Sequence, residues 1–108
     1  MKFEIPVYGG TLYLYADKVK YIKAAEALGE PAGDISLWLG AEKYYEFDNG
    51  SRLYTVGWFD GQMGTLFHEI SHVALDVFDI AGIDPICGNG EPFSYLMSAI
   101  YDLMGVEV

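Results

Sequence analysis

The sequence predicts a single small α+β domain, with an antiparallel or mixed sheet of about four strands packed against three helices. Its 108 residues have the length of one domain, so we expect residues 1–108 to fold as one unit. The hydrophobic fraction of 52% is enough for a compact core. Short β-type runs bounded by turn residues are followed by longer helical segments with capping residues, which indicates both element types.

The strands are predicted from β-type runs and the turn signals between them. Residues 3–8 and 11–15 are two such runs, separated by two glycines that indicate a two-residue hairpin. Residues 35–40 and 44–47 are strand-like, and 52–59 follows a strong turn signal as the next strand. Together these runs supply the predicted sheet.

Three helices are predicted, at residues 18–28, 62–80 and 91–104. Asp17 is an N-cap for the first helix, Gly82 ends the second, and Pro92 lies in the first turn of the third. The second helix is apolar almost all round, which is typical of a central, buried helix. The tail at 105–108 is a candidate for one further short strand.

The charge of the chain limits its partners. Sixteen acidic residues against six basic ones give a formal net charge of −10. Nonspecific binding to nucleic acid or to an anionic membrane is therefore unfavourable, and we expect neither partner. A basic protein partner remains open, although acidity is also a simple means of keeping a small apolar protein in solution.

Cysteine usage and the absence of apolar segments bear on the compartment. Cys87 is the only cysteine, so no disulfide forms within the chain, as is typical of a reducing environment. The first ten residues lack the apolar core of a signal peptide, and no apolar run is long enough to span a bilayer. We expect a cytoplasmic protein.

The strongest chemical signal is an H-E-x-x-H pattern on the second predicted helix. His68 and His72 are the only two histidines of the chain, and Glu69 lies between them. Residues four apart share one helix face, so both imidazoles can point at one metal ion. Neutral imidazoles bind zinc, and the adjacent carboxylate can accept a proton from a water that zinc activates. The simple alternative is two histidines that make ordinary hydrogen bonds.

A zinc site of this kind needs a third protein ligand, and several residues downstream qualify. Glu91 lies 19 residues after His72 at the start of the last predicted helix, which can fold back antiparallel. Asp84 ranks below it, and Cys87 is available in the intervening loop. Tyr95 is a candidate for stabilising an oxyanion, with packing between helices as the alternative. Asp76 and Asp79 are candidates for orienting a ligand histidine.

The motifs HEISH and GNGEPFSYL resemble the gluzincin group of zinc metallopeptidases. More narrowly, they resemble small bacteriophage and prophage proteins that pair T-L-x-H-E-x-x-H with N-E-x-x-A-Y-L. The matching positions are Thr65, Leu66, His68, Glu69, His72, Glu91, Tyr95 and Leu96. The resemblance implies a minimal zincin-like domain with His68, His72 and Glu91 as zinc ligands and Glu69 as general base. The chain departs from the larger gluzincins at Tyr95, where they often have an Asp.

These observations lead to a prediction of a zinc-dependent metallopeptidase in which Glu69 moves the proton. In the zincin arrangement an edge strand beside the site pairs with an extended peptide, and 52–59 is the predicted strand because it directly precedes the helix. The alternative is a non-catalytic, zinc-stabilised acidic phage protein that binds a host or phage protein as an inhibitor or assembly factor. A degenerate enzyme with an empty site is the third possibility.

Overall fold

The computed structural model describes residues 1–105 as a four-stranded sheet with three α-helices, confirming the α+β prediction. The elements, in chain order, are β1 (Lys2–Glu4), β2 (Thr11–Tyr15), α1 (Lys18–Ala27), β3 (Gly40–Glu46), β4 (Arg52–Trp58), α2 (Met63–Ala81) and α3 (Glu91–Met104), with a 3₁₀ segment at Cys87–Gly90. Gly105 ends α3 with a left-handed φ of 71°. The predicted strand in the tail otherwise lies outside the described residues.

The sheet is mixed, with the spatial order β1-β2-β4-β3. β1 pairs with β2 and β3 with β4 in antiparallel fashion, whereas β2 and β4 are parallel. The parallel pair arises because α1 and β3 both lie between β2 and β4 in the chain, which gives the chain room to cross over. Of the two sheet types expected from the sequence, the mixed one is confirmed.

The prediction that residues 52–59 form an edge strand is wrong. β4 is paired along both sides, with Tyr54 opposite Leu12 on β2 and opposite Tyr44 on β3. Its backbone groups are therefore already used and cannot pair with a peptide. The end strand beside α2 is β3, which within residues 1–105 has β4 as its one paired neighbour.

Two local predictions also differ from the structure. The chain reverses after β1 over the four residues 6–9 rather than over the two glycines alone. Ile5 N still donates to Gly10 O at 2.8 Å, and Pro6 has no amide hydrogen to continue the ladder. Residues 35–39 are a turn region instead of a strand. Ile35 is buried there against α1, so its apolar character reflects packing and not strand pairing.

The two faces of the sheet carry separate cores. α1 covers one face, where Tyr21 packs with Ile35 and Ala41. α2 and α3 cover the other face and form the larger core. No helix within residues 1–105 has the length and apolarity needed to cross a membrane.

α2 is the central element of the larger core. Its buried residues are Leu66, Glu69, Ile70, Val73, Ala74, Val77 and Phe78. Phe67 packs edge-to-face on Tyr101 at 5.0 Å between ring centroids, and Phe78 packs on Phe93 at 5.5 Å. These two contacts show that α2 and α3 run antiparallel, as expected. The remaining stripe of α2 faces solvent and β3, and it carries the motif.

Candidate metal centre

The two histidines of α2 converge as the helical spacing predicts. Nε2 of His68 and Nε2 of His72 lie 3.2 Å apart, and the two rings are nearly perpendicular at 81°. Both side chains are exposed. Two nitrogens held at about 2.0–2.1 Å by a tetrahedral zinc are about 3.3–3.4 Å apart, so the pair fits one zinc ion. The same separation is a hydrogen bond when one ring carries its proton on Nε2.

Glu69 lies beside the histidines but is buried, with only 7% of its surface exposed. One of its carboxylate oxygens and one nitrogen from each imidazole all lie within 4.8 Å of one another. Burial raises the pKa of the Glu69 carboxyl, while the two neighbouring histidines act in the opposite direction. A raised pKa brings a carboxylate closer to the value that suits a general base near neutral pH.

Gly40 explains why Glu69 is buried. It is the first residue of β3, and a Cβ placed there would lie 2.6 Å from Thr65 Cγ2 and 3.0 Å from Glu69 Oε2. Only a glycine lets the strand backbone approach the helix this closely. β3 therefore covers the carboxylate and separates part of it from water.

Asp60, in the loop that precedes α2, fixes the side chain of Thr65. The Thr65 hydroxyl donates to Asp60 Oδ2 at 2.6 Å, and the backbone N–H of Gln62 donates to Asp60 Oδ1 at 3.0 Å. These two hydrogen bonds lower the pKa of the Asp60 carboxyl. Asp60 thus fixes the first turn of the helix, and with it the start of the motif.

A carboxyl pair lies next along the interface between β3 and α2. The Glu42 side chain is hydrogen-bonded to Asp76, one turn after His72. Burial, this contact with Asp76 and the charge of Glu69 raise the pKa of Glu42 to about 9. The raised pKa favours the protonated form of Glu42, whose O–H is then available to donate to the Asp76 side chain. The expected role of Asp76 in orienting a histidine stays a prediction, and Asp79 is exposed.

A cavity of about 650 Å³ opens against the motif. Its lining residues are Trp38, Leu39, Gly40, Ala41, Glu42, Gly64, Thr65, His68 and Glu69. Volumes of this size are typical of sites for small ligands. One wall is the apolar segment that leads into β3, and the other is the first half of α2.

Glu91 does not join the histidines in the described structure. It is exposed at the start of α3, outside the cluster of His68, Glu69 and His72. Phe93 packs on Phe78, which is six residues beyond His72, or about 9 Å along a helix axis. Glu91 precedes Phe93 and so lies still farther toward the end of α2. Its role as a ligand stays a prediction that requires α3 to move.

Tyr95 and the two other candidate ligands also lie apart from the cluster. Tyr95 is 71% exposed and lines a different cavity, together with the β1–β2 connection. Asp84 accepts the backbone N–H of Ile86 in the loop after α2, and Cys87 is exposed in the next turn. The structure thus brings together the three residues of the motif on α2, and it does not bring the downstream candidates to them.

Reasoning from the sequence missed Gly40, Glu42 and Trp38 as residues of the site. A strand glycine was a usable signal, since glycine within a strand often marks a close approach of another backbone or ligand. Nothing in the local sequence indicates that Glu42 meets Asp76, because that contact depends on the order of strands in the sheet.

Comparison with known proteins finds no protein family, curated protein or solved structure that matches the chain significantly.

Proposed function

We propose that the chain is a zinc-dependent metallopeptidase of the small gluzincin-like type, with His68 and His72 as fixed metal ligands and Glu69 as general base. The observation that carries this proposal is the 3.2 Å approach of the two Nε2 atoms with a buried carboxylate beside them. Both the donor set and its spacing suit zinc. The cytoplasm, that of the host if the protein is phage-encoded, is the proposed location, consistent with one free cysteine.

A bound zinc ion would lower the pKa of a water molecule to about 7 and polarise a peptide carbonyl. Glu69 accepts the proton from the attacking water and returns it to the leaving amine. Its fixed position against Gly40, its burial and its raised pKa all suit it to this role. The exposed imidazoles leave the outer side of the site open to substrate.

A peptide substrate fits along β3. The strand ends the sheet, so an extended peptide can add to it through backbone hydrogen bonds. Gly40 at the start of β3 lies against Glu69, and a peptide paired there would pass the base. We therefore propose β3 as the binding strand in place of residues 52–59.

A catalytic zinc site has three protein ligands, and Glu91 is the proposed third. Glu91 reaches the histidines only if the segment after α2 carries the start of α3 toward them. That segment contains three successive residues with left-handed φ values, Gly88, Asn89 and Gly90. A water molecule in the third position is the arrangement that needs no movement.

The second candidate is a non-catalytic zinc-stabilised protein that binds a basic host or phage protein. One observation favours it: Glu69 is close enough to the histidines to be a metal ligand itself, whereas Glu91 lies outside the cluster. A carboxylate used as a ligand is not free to act as a base. The net charge of −10 suits a basic partner.

The variant Glu69→Gln distinguishes the two candidates. As a base, Glu69 contributes about 10²–10⁴-fold to hydrolysis, and its amide should lose that factor while zinc affinity changes less than about tenfold. Cleavage of a proteome-derived peptide library is followed by mass spectrometry, and zinc affinity by competition with a chelator. Glu26→Gln, an exposed acid on α1, is the control for the change in charge.

Two results would contradict the peptidase proposal. One is the absence of any cleavage by the zinc-loaded wild-type chain. The other is full retention of cleavage in Glu69→Gln. A collapse of zinc affinity in Glu69→Gln, together with no cleavage by the wild type, would favour the structural zinc site.

A further inference from the structure

The cavity beside the motif has two unlike walls. The strand side presents Trp38 and Leu39, and the helix side presents Thr65, His68 and Glu69. Trp38 is 43% exposed and Leu39 is 62% exposed, so both apolar side chains have surface left to bury. Because His68 and Glu69 are part of the lining, any group in the cavity is next to the proposed reacting atoms.

We propose that this cavity is the specificity pocket of the enzyme and that it takes a large apolar side chain of the substrate, such as Phe, Leu or Met. The inference rests on the proposed peptidase function, because the pocket is defined by its contact with the proposed base. It adds the class of substrate and names Trp38, Leu39 and Gly64 as the residues that select it.

The chemistry of the walls selects this occupant. A large apolar side chain removes the exposed surfaces of Trp38 and Leu39 from water, which a small or polar side chain does not. An acidic side chain is disfavoured, because Glu69 lines the cavity and the whole protein is acidic. A peptide added to β3 would carry alternate side chains toward α2, and one of these reaches the cavity.

Gly64 keeps the pocket open. It lies in the first turn of α2, and a Cβ built on it meets no atom of the described residues 1–105 within 4 Å. A larger residue there would project into empty space and occupy the cavity without a clash. Helix propensity also favours leucine over glycine at such a position, so the variant should fold. Gly64→Leu therefore fills the pocket and leaves the motif unchanged.

The pocket is tested by binding, with cleavage recorded separately in the same samples. Capped tetrapeptides Ac-Gly-X-Gly-Gly-NH₂, with X as Gly, Ala, Leu or Phe, are titrated into the zinc-supplemented chain. Isothermal titration calorimetry gives the affinity for every variant. In the variants that retain Trp38, its indole N–H resonance shows whether the peptide lies at the pocket. The Trp58 indole donates to Gln62 O at 2.7 Å and is the internal reference. Cleavage products are measured by mass spectrometry.

In the wild type, we expect the affinity for X as Phe or Leu to exceed that for Ala by about tenfold or more. Gly64→Leu and Trp38→Ala should reduce this preference to less than about threefold. Gly64→Ala changes the same backbone position with a small side chain and should keep the preference. Leu37→Ala removes an apolar residue of the same segment that is 91% exposed and lies outside the lining, and it should have no effect.

The pocket and the peptidase activity can fail independently. A preference for large apolar X without cleavage supports the pocket and contradicts the peptidase. Cleavage with equal affinity for all four peptides supports the peptidase and overturns the pocket. The pocket is also overturned if no peptide binds, or if Gly64→Leu keeps the preference of the wild type.

Discussion

Two regions were expected to build one site, and they behave differently. The first half of α2 places His68, Glu69 and His72 within 4.8 Å of one another. The first two turns of α3 leave Glu91 and Tyr95 exposed and outside that cluster. The two histidines of the first region converge because they lie four residues apart on one helix, and this spacing puts them on the same helix face. The second region depends on how two helices and a loop are arranged in space.

The loop between α2 and α3 shows why the second region is harder to predict. The aromatic contacts between the two helices set their relative register, and they place the start of α3 near the end of α2. A spacing of 19 residues between His72 and Glu91 is compatible with several such registers. Sequence spacing therefore predicts which ligands converge when they lie on one helix. When they lie on two helices, their convergence also depends on the relative register of the helices.

The largest expected effect concerns the first region. His72→Ala removes one of two converging imidazoles, and zinc affinity should fall by at least about 100-fold, more than is usual for loss of an outer-shell partner. Chelator competition measures this change. Asp79→Asn, on the same exposed face of α2, is the control and should change zinc affinity little. An unchanged zinc affinity in His72→Ala would show that the α2 cluster does not hold the metal, and the contrast between the two regions would then be wrong.

The second-largest effect is expected for Glu42, the β3 residue that contacts Asp76 of α2. The pKa of Glu42 is raised from 4.5 to about 9 in the fold, so folding favours its protonated form. Stability from this group is full below about pH 4.5 and is lost as the pH rises toward 9. Glu42→Gln should raise the unfolding temperature at pH 8 by about 4 °C, or about 1 kcal/mol after allowance for solvent screening.

Thermal unfolding in the presence of a chelator, from about pH 4.5 to about pH 9, checks this prediction. Glu46→Gln is the matched control, since Glu46 is exposed at the other end of β3. A wild-type stability that does not fall over this range would show that Glu42 is not protonated in the fold.

The smallest effect is expected for the second region. With Glu91 in its described position, Glu91→Gln should weaken zinc binding by less than about threefold. The start of α3 lies beside the end of α2, because Phe93 packs on Phe78, which is about 9 Å beyond His72 along the helix axis. The same chelator competition measures the zinc affinity. A loss of about 100-fold or more would erase the difference between the regions, and it would show that the start of α3 moves to complete the site.

The sequence was informative wherever the signal was local. The bounds of α2 were predicted within one or two residues, because a helix-ending glycine and apolar periodicity act within a few positions. The same holds for α1, whose Asp17 side chain accepts the backbone N–H of Val19 at 2.8 Å. The pairing of the histidines follows from the same local geometry.

The order of the strands in the sheet could not be predicted from local sequence patterns. β4 directly precedes α2 in the chain, yet β3 lies at the edge, because the chain crosses over before returning as β4. No pattern within residues 52–59 distinguishes a strand paired on one side from a strand paired on both. The contacts of Gly40 with Glu69 and of Glu42 with Asp76 depend on that order, so they were missed with it.

The open edge of β3 has a consequence for contacts between copies of the protein. A strand with one paired neighbour is a template for any second strand, including the β3 of another copy. Here the edge carries Lys43 and Glu46 as exposed charges on a chain with a net charge of −10. Repulsion between two such acidic copies opposes the pairing of their β3 edges. The acidity of the chain therefore acts against aggregation through this edge as well as favouring its solubility.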